Sequence, residues 1–235
     1  MNNKLYKFFL WLTFPFMIIA LYGAFIYAPR AKWPGAHGVI LGEIQRIFYF
    51  HVPLAWVMMI AFAVTFIFSI LYLAKSNIEY DIIASASAEI GIVFATLAIL
   101  TGSMWAKPAW GTYWTWDPRL TTMLLLWFIF VGYFILRGFV EEDAKRARLS
   151  AIIAIIGFLD VPLVFISVRL WRSLHPVVIE SSRKGVAIAP RMLHALLFSL
   201  LTFTILYAVM LHLRVHLGKI ELKIKMIKRK LNEEF

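Results

Sequence analysis

Cysteine is absent from all 235 residues. That excludes disulfides, thiolate metal centres, CxxC redox chemistry and c-type haem attachment through CxxCH in this chain. Charge is also scarce, at 16% of residues, and acids are rarer than bases, 13 Asp and Glu against 24 Lys and Arg. A soluble domain carries about 25% charged residues. Internal repeats and low-complexity linkers are missing, and nothing resembles a nucleotide-binding loop or a nucleophile–base pair.

What fills the chain instead is apolar: 62% of it is hydrophobic. This composition is that of an integral membrane protein. Apolar runs predict six transmembrane helices, at about 8–27, 52–74, 82–104, 121–136, 149–168 and 192–213, in an all-α polytopic fold. The runs lack the period-two pattern of barrel strands, and a backbone crossing lipid must satisfy its own hydrogen bonds. Six spans take about 120–130 residues, so residues 1–235 read as one membrane domain with short loops. The run from Phe8 to Tyr27 exceeds the usual length of a signal-peptide core and reads as the first span.

Six spans put both termini on one side. Of the 24 cations, fourteen fall on that side and ten on the other. The positive-inside rule then makes both termini cytoplasmic. The +11 formal charge reflects orientation and retention rather than nucleic-acid binding, because the basic residues sit at span ends and in the tail at about 214–235. That tail, Lys219-Ile-Glu-Leu-Lys-Ile-Lys-Met-Ile-Lys-Arg-Lys, reads as a surface helix on anionic membrane lipid or as a docking site for a partner. Ten cations on the outer face exceed what orientation needs and suggest an anionic ligand there.

The outer face also carries the densest chemical signal. Residues 105–117 read Trp105-Ala-Lys-Pro-Ala-Trp110-Gly-Thr-Tyr-Trp114-Thr-Trp116-Asp117, four tryptophans in one connection between spans three and four. Flat aromatic surface at that density suits a flat apolar ligand. His51, in Phe50-His51-Val52-Pro53, and His175, in Leu174-His175-Pro176, lie on the same face. Each precedes a proline, where the backbone is expected to change course. Two histidines, an aromatic platform and arginines fit a haem, which takes axial imidazoles and pairs its propionates with guanidinium forks. The same residues also fit an interfacial aromatic belt with incidental histidines.

The run Trp110-Gly-Thr-Tyr-Trp114-Thr-Trp116-Asp117-Pro-Arg119-Leu-Thr resembles the tryptophan-rich WWD signature of haem-handling membrane proteins. Within that superfamily the chain is similar to the CcmC family, haem exporter protein C of cytochrome c maturation, over most of its length. CcmF relatives are far longer, and CcsA-type relatives continue differently after Trp-Asp. The resemblance implies that His51 and His175 are axial ligands of haem iron. It implies that Trp110, Trp114, Trp116 and Asp117 form the WWD core, and that Arg46 and Arg119 meet the propionates. It further implies haem b as transient cargo, location in the bacterial inner membrane, and delivery to the periplasmic haem chaperone CcmE. CcmA, CcmB and CcmD are the implied partners, and the role is presentation rather than catalysis.

Two other readings stand beside it. A haem permease should show a polar path or paired broken spans near the midplane. A haem-linked redox enzyme should show a second histidine pair on the inner side. Glu89 and Asp160 lie within spans and are functional candidates by default, with structural pairing as the alternative. His194 is a candidate neighbour of the outer site. His212 and His216 share a helix face but lack an acid to complete a zinc motif.

Overall fold

The computed structural model describes residues 3–34, 40–171 and 188–234. Among the described residues six helical segments are long and apolar enough to cross a membrane: Tyr6–Tyr27, Ile44–Lys75, Ile78–Trp110, Pro118–Phe139, Asp143–Leu170 and Pro190–Asn232. The order is α1 (Asn3–Tyr22), a π-helical turn (Gly23–Tyr27), β1 (Ala31–Pro34), β2 (Ile40–Gly42), a 3-10 turn (Ile44–Ile47), α2 (Phe48–Lys75), α3 (Ile78–Trp110), α4 (Pro118–Phe139), α5 (Asp143–Phe158), α6 (Asp160–Leu170) and α7 (Pro190–Glu234). The all-α expectation holds, with β1 and β2 adding a small antiparallel ribbon in what reads as a plain loop.

Local chemistry sets the boundaries. Ser76, at φ 50°, ends α2, and the Asn77 side chain accepts the Glu79 N–H at 2.9 Å to begin α3. Asp117 caps α4 by accepting the Arg119 N–H at 3.0 Å, with Pro118 as the first helical residue. The fourth span therefore starts three residues before the apolar run and lies wholly outside the tryptophan connection. The fifth span is broken at Leu159, between α5 and α6. Pro162 has no N–H to return to the turn before it, which favours such a break. Asp160 sits at this break, buried, with neither carboxylate oxygen hydrogen-bonded among the described residues.

The core lies where α2 and α3 meet. The Ala84-to-Ala98 stretch of α3 is rich in buried alanine, with Gly91 at its centre. Small residues let helix backbones approach in the absence of a hydrophobic driving force. A Cβ on Gly91 would sit 2.6 Å from Phe62 Cε1. Phe62 in turn stacks on Phe130 of α4 at 3.7 Å. Polar contacts stitch the same seam: Ser87 Oγ donates to the Ala61 carbonyl at 2.7 Å and lies 2.8 Å from the Tyr207 hydroxyl of α7.

At the end of the bundle near the N-terminus, ion pairs dominate. Arg137 forks onto Asp81 at 2.7 and 2.9 Å. Glu89 pairs with Arg214, its Oε1 accepting from Nη2 at 2.9 Å. Glu89 therefore has the structural pairing that its span position left open. His212 stacks on Tyr6 at 4.8 Å, a packing role. The sixth span and the tail are one helix of 45 residues, with no break at about 213.

Candidate functional site

The opposite end of the bundle gathers the ends of α1, α3 and α6 and the starts of α2, α4 and α7. His51 is the fourth residue of α2. The backbone does not change course at its proline: Val52 and Pro53 are helical, and the junction between the 3-10 turn and α2 lies at Ile47–Phe48. The imidazole is thus held by a formed helix. Its Nδ1 lies 3.1 Å from Thr101 Oγ1 on α3. That hydroxyl donates its proton back to the Leu97 carbonyl at 2.8 Å, so it receives one from the ring. With the hydroxyl proton given to Leu97, Thr101 is placed to accept from Nδ1, the tautomer that leaves Nε2 the lone pair a metal needs. Gly102 makes room: a Cβ there would stand 2.9 Å from His51 Cε1.

The tryptophan segment divides in two. Trp105 to Trp110 form the last turns of α3, because Ala106 and Ala109 sustain the helix through Pro108 and Gly111, at φ 81°, ends it. Only residues 111–117 connect α3 to α4. Trp105 meets Trp110 edge-to-face at 5.4 Å and donates its indole N–H to Gln45 Oε1 at 3.0 Å. Trp114 meets Trp116 edge-to-face at 5.9 Å. Trp116 is 76% exposed and Tyr113 59%. The first pair braces the protein; in the second, Trp114 is half-buried and Trp116 is turned outward. Asp117 is buried as the cap of α4.

The two arginines differ in what already holds them. Arg46 donates from Nη1 to the Ala24 carbonyl and from Nε to Glu43. The π turn at the end of α1 frees carbonyls that need such a donor. The Arg46 guanidinium beside it, aided by Arg30, holds the Glu43 carboxyl below its usual range. Arg119 lies over the Phe165 ring of α6 at 5.9 Å. His194, at the start of α7, lies 3.3 Å by Nδ1 from the Tyr27 hydroxyl. His175 lies outside the described residues, as does most of the third outer connection. Among the described residues no three His, Cys, Asp or Glu side chains cluster as a metal site.

A cavity of about 800 Å³ opens at this end, with Phe25, Phe50, Met104 and Tyr113 in its walls and Arg46, Lys107 and the Arg46-paired Glu43 at its edges. Its size falls in the range of small-molecule sites, about 300–1,000 Å³. Its apolar walls with the Arg46 and Lys107 cations suit a flat apolar ligand with anionic groups, as haem is; of the predicted site residues only Arg46 is in this lining, and His51, Trp110, Trp114, Trp116, Asp117 and Arg119 lie at the same end of the bundle outside it. Gln45, Thr101, Gly102 and Lys107 contribute here without standing out in the sequence. The one faint signal is Gln45, a lone amide in an apolar stretch.

The CcmC family, described as Heme exporter protein C, matches residues 1–230. The chain is 37% identical to Heme exporter protein C of Bradyrhizobium diazoefficiens over 172 residues, 73% of this chain and 65% of that protein. The match thus spans just under two thirds of that relative's length. Identity to Heme exporter protein C of Escherichia coli K12 is 34% over 174 residues, 74% of this chain and 70% of that one. A putative cytochrome c biosynthesis ccmC-like mitochondrial protein of Marchantia polymorpha is 36% identical over 134 residues, 57% of this chain and 56% of that protein.

Proposed function

Since the chain belongs to the CcmC, or Heme exporter protein C, family, we propose that it handles haem for cytochrome c maturation as a multi-pass protein of the bacterial inner membrane, without turnover of its own. Both termini are cytoplasmic, and the end bearing His51 and the tryptophans faces outward. His51 and His175 ligate the iron from opposite sides, and Trp110, Trp114 and Trp116 supply aromatic surface. Asp117 acts through the helix it caps. Haem b is cargo, delivered to CcmE, and CcmA, CcmB and CcmD are the partner subunits.

The observation that carries this reading is the state of His51. A ligating histidine usually gives its other ring N–H to an acceptor, which fixes the tautomer and the ring plane. Thr101 is that acceptor here. The arginines then hold the two carboxylates of the ligand, with Arg119 the freer of the pair. The exposed Trp116, backed by the half-buried Trp114 beside the site, gives an incoming acceptor a rigid apolar surface.

The test is the absorption spectrum of the purified, haem-loaded protein. A bis-imidazole spectrum is expected. His51→Ala and His175→Ala each weaken haem retention, and added imidazole partly restores the spectrum. An unchanged six-coordinate spectrum in both variants would remove these residues as ligands.

A further inference from the structure

The end of α7 carries a surface that haem handling leaves unused. Past the last turns of the sixth span, the helix runs on to Glu234 without a break. Leu213, Leu217, Ile220, Ile224, Ile227 and Leu231 are all large, apolar and exposed, at 40–59%. Their spacing alternates four and three residues. That is the seam of a coiled coil, with Leu217, Ile224 and Leu231 at one core position and Leu213, Ile220 and Ile227 at the other. Lys223, Lys228 and Lys230 are exposed in the positions flanking the distal seam, and the one flanking acid, Glu221, is turned to Arg214 at 3.4 Å.

The bundle uses a different face of the same helix. A Cβ on Gly218 would lie 2.8 Å from Ile82 Cγ2 of α3. Lys219 pairs with Glu79 at 2.9 Å, and Lys225 reaches both oxygens of Asp143 at 2.7 Å. These contacts hold the helix on the axis of the span. At 1.5 Å per residue, Leu231 stands about 25 Å beyond Arg214 along that axis. A seam so held points away from the bilayer surface, whereas a lipid-bound helix would have to turn into its plane. A parallel second copy is also disfavoured, since it would set Lys223 of one helix against Lys228 of the other.

We propose that this face docks an amphipathic helix of another protein, with apolar residues at alternating three- and four-residue spacing and carboxylates on its flanks. The probes are two three-heptad peptides with the same Leu/Ile core, one with Glu and one with Lys at the flanking positions. Each is titrated by fluorescence anisotropy against the full chain in zwitterionic nanodiscs. The Glu peptide should bind, with the Lys peptide at least about tenfold weaker. Ile224→Asp with Ile227→Asp should abolish binding, and Lys223→Glu, Lys228→Glu and Lys230→Glu together should reverse the preference. Absence of Glu-peptide binding, or binding that survives the two aspartates, overturns the proposal. So does dimerisation of the chain through this seam in sedimentation. The chain has no cysteine, so Ile227→Cys accepts a single fluorophore; quenching of it by lipid-borne quenchers in anionic nanodiscs would assign the face to lipid instead.

Discussion

At His51 the proposed ligation rests on how two residues of α3 place the ring. Thr101 Oγ1 lies 3.1 Å from Nδ1, placed to accept its N–H. Gly102 leaves space that a methyl group would fill at 2.9 Å from the ring. Thr101→Val keeps the volume and removes the acceptor; loss of such a partner typically costs 10–100-fold in metal affinity, so haem titration should show a weakening of about that size. Gly102→Ala should displace the imidazole and shift the axial-ligand spectrum while leaving the fold intact. Unchanged affinity in both variants would mean that the ring is positioned from elsewhere. The two arginines should separate likewise. Arg46 braces the end of α1 through the Ala24 carbonyl and Glu43, so Arg46→Ala should lower the melting temperature of haem-free protein. The charged hydrogen bond to the carbonyl of buried Ala24 contributes about 1.5–3 kcal/mol. Arg119→Ala should instead weaken haem with little loss of stability. Glu43, held low by Arg46, keeps its charge and its brace above about pH 4.5 and loses them as pH falls through its depressed value. Arg46→Ala should weaken haem as well, since both arginines meet a carboxylate; unchanged affinity in both variants would remove them as propionate partners.

Among the elements, the α2–α3 seam offers the sharpest test. The 2.6 Å approach of a Cβ on Gly91 to Phe62 leaves no room for a side chain. Gly91→Ala should cost about 1–3 kcal/mol by overpacking, measured by unfolding in detergent. Phe62→Leu should recover part of that loss in the double variant, because the two residues share one contact. Strict additivity would contradict the packing. The apolar runs made the six spans legible in the sequence, since lipid demands them. The helix ends were less so. Hydropathy falls at Trp105 and again at Arg214, yet both helices continue, because alanine, lysine, leucine and glutamate favour helix whether or not lipid surrounds them. The β1–β2 ribbon is only seven residues of strand and leaves no periodic trace. His51 and the tryptophans stood out by residue type and clustering. Thr101 and Gly102 did not, because their role exists only once α3 lies against α2.

For the whole molecule the proposed function divides stability from ligand handling between the two ends. One end is locked by ion pairs, and Asp81, 5% exposed, accepts both prongs of Arg137. The other presents an aromatic pair of which Trp116 is 76% exposed. Removing one partner of a buried ion pair strands the other charge and typically costs about 3–5 kcal/mol. Arg137→Ala should therefore lower thermal stability strongly and leave the spectrum of bound haem unchanged in the protein that remains folded. Trp116→Ala should do the reverse, since an exposed ring contributes little to the fold. Trp114→Phe and Trp116→Phe should keep most haem transfer, because much of the aromatic face survives, while alanine at both positions should lose it. Melting curves and transfer of haem to a purified acceptor, measured on the same preparations, decide the matter. If phenylalanine fails as badly as alanine, the indole N–H rather than the ring face is what the acceptor meets. If Trp116→Ala melts as early as Arg137→Ala, the aromatic end is part of the scaffold and the division between the two ends is wrong.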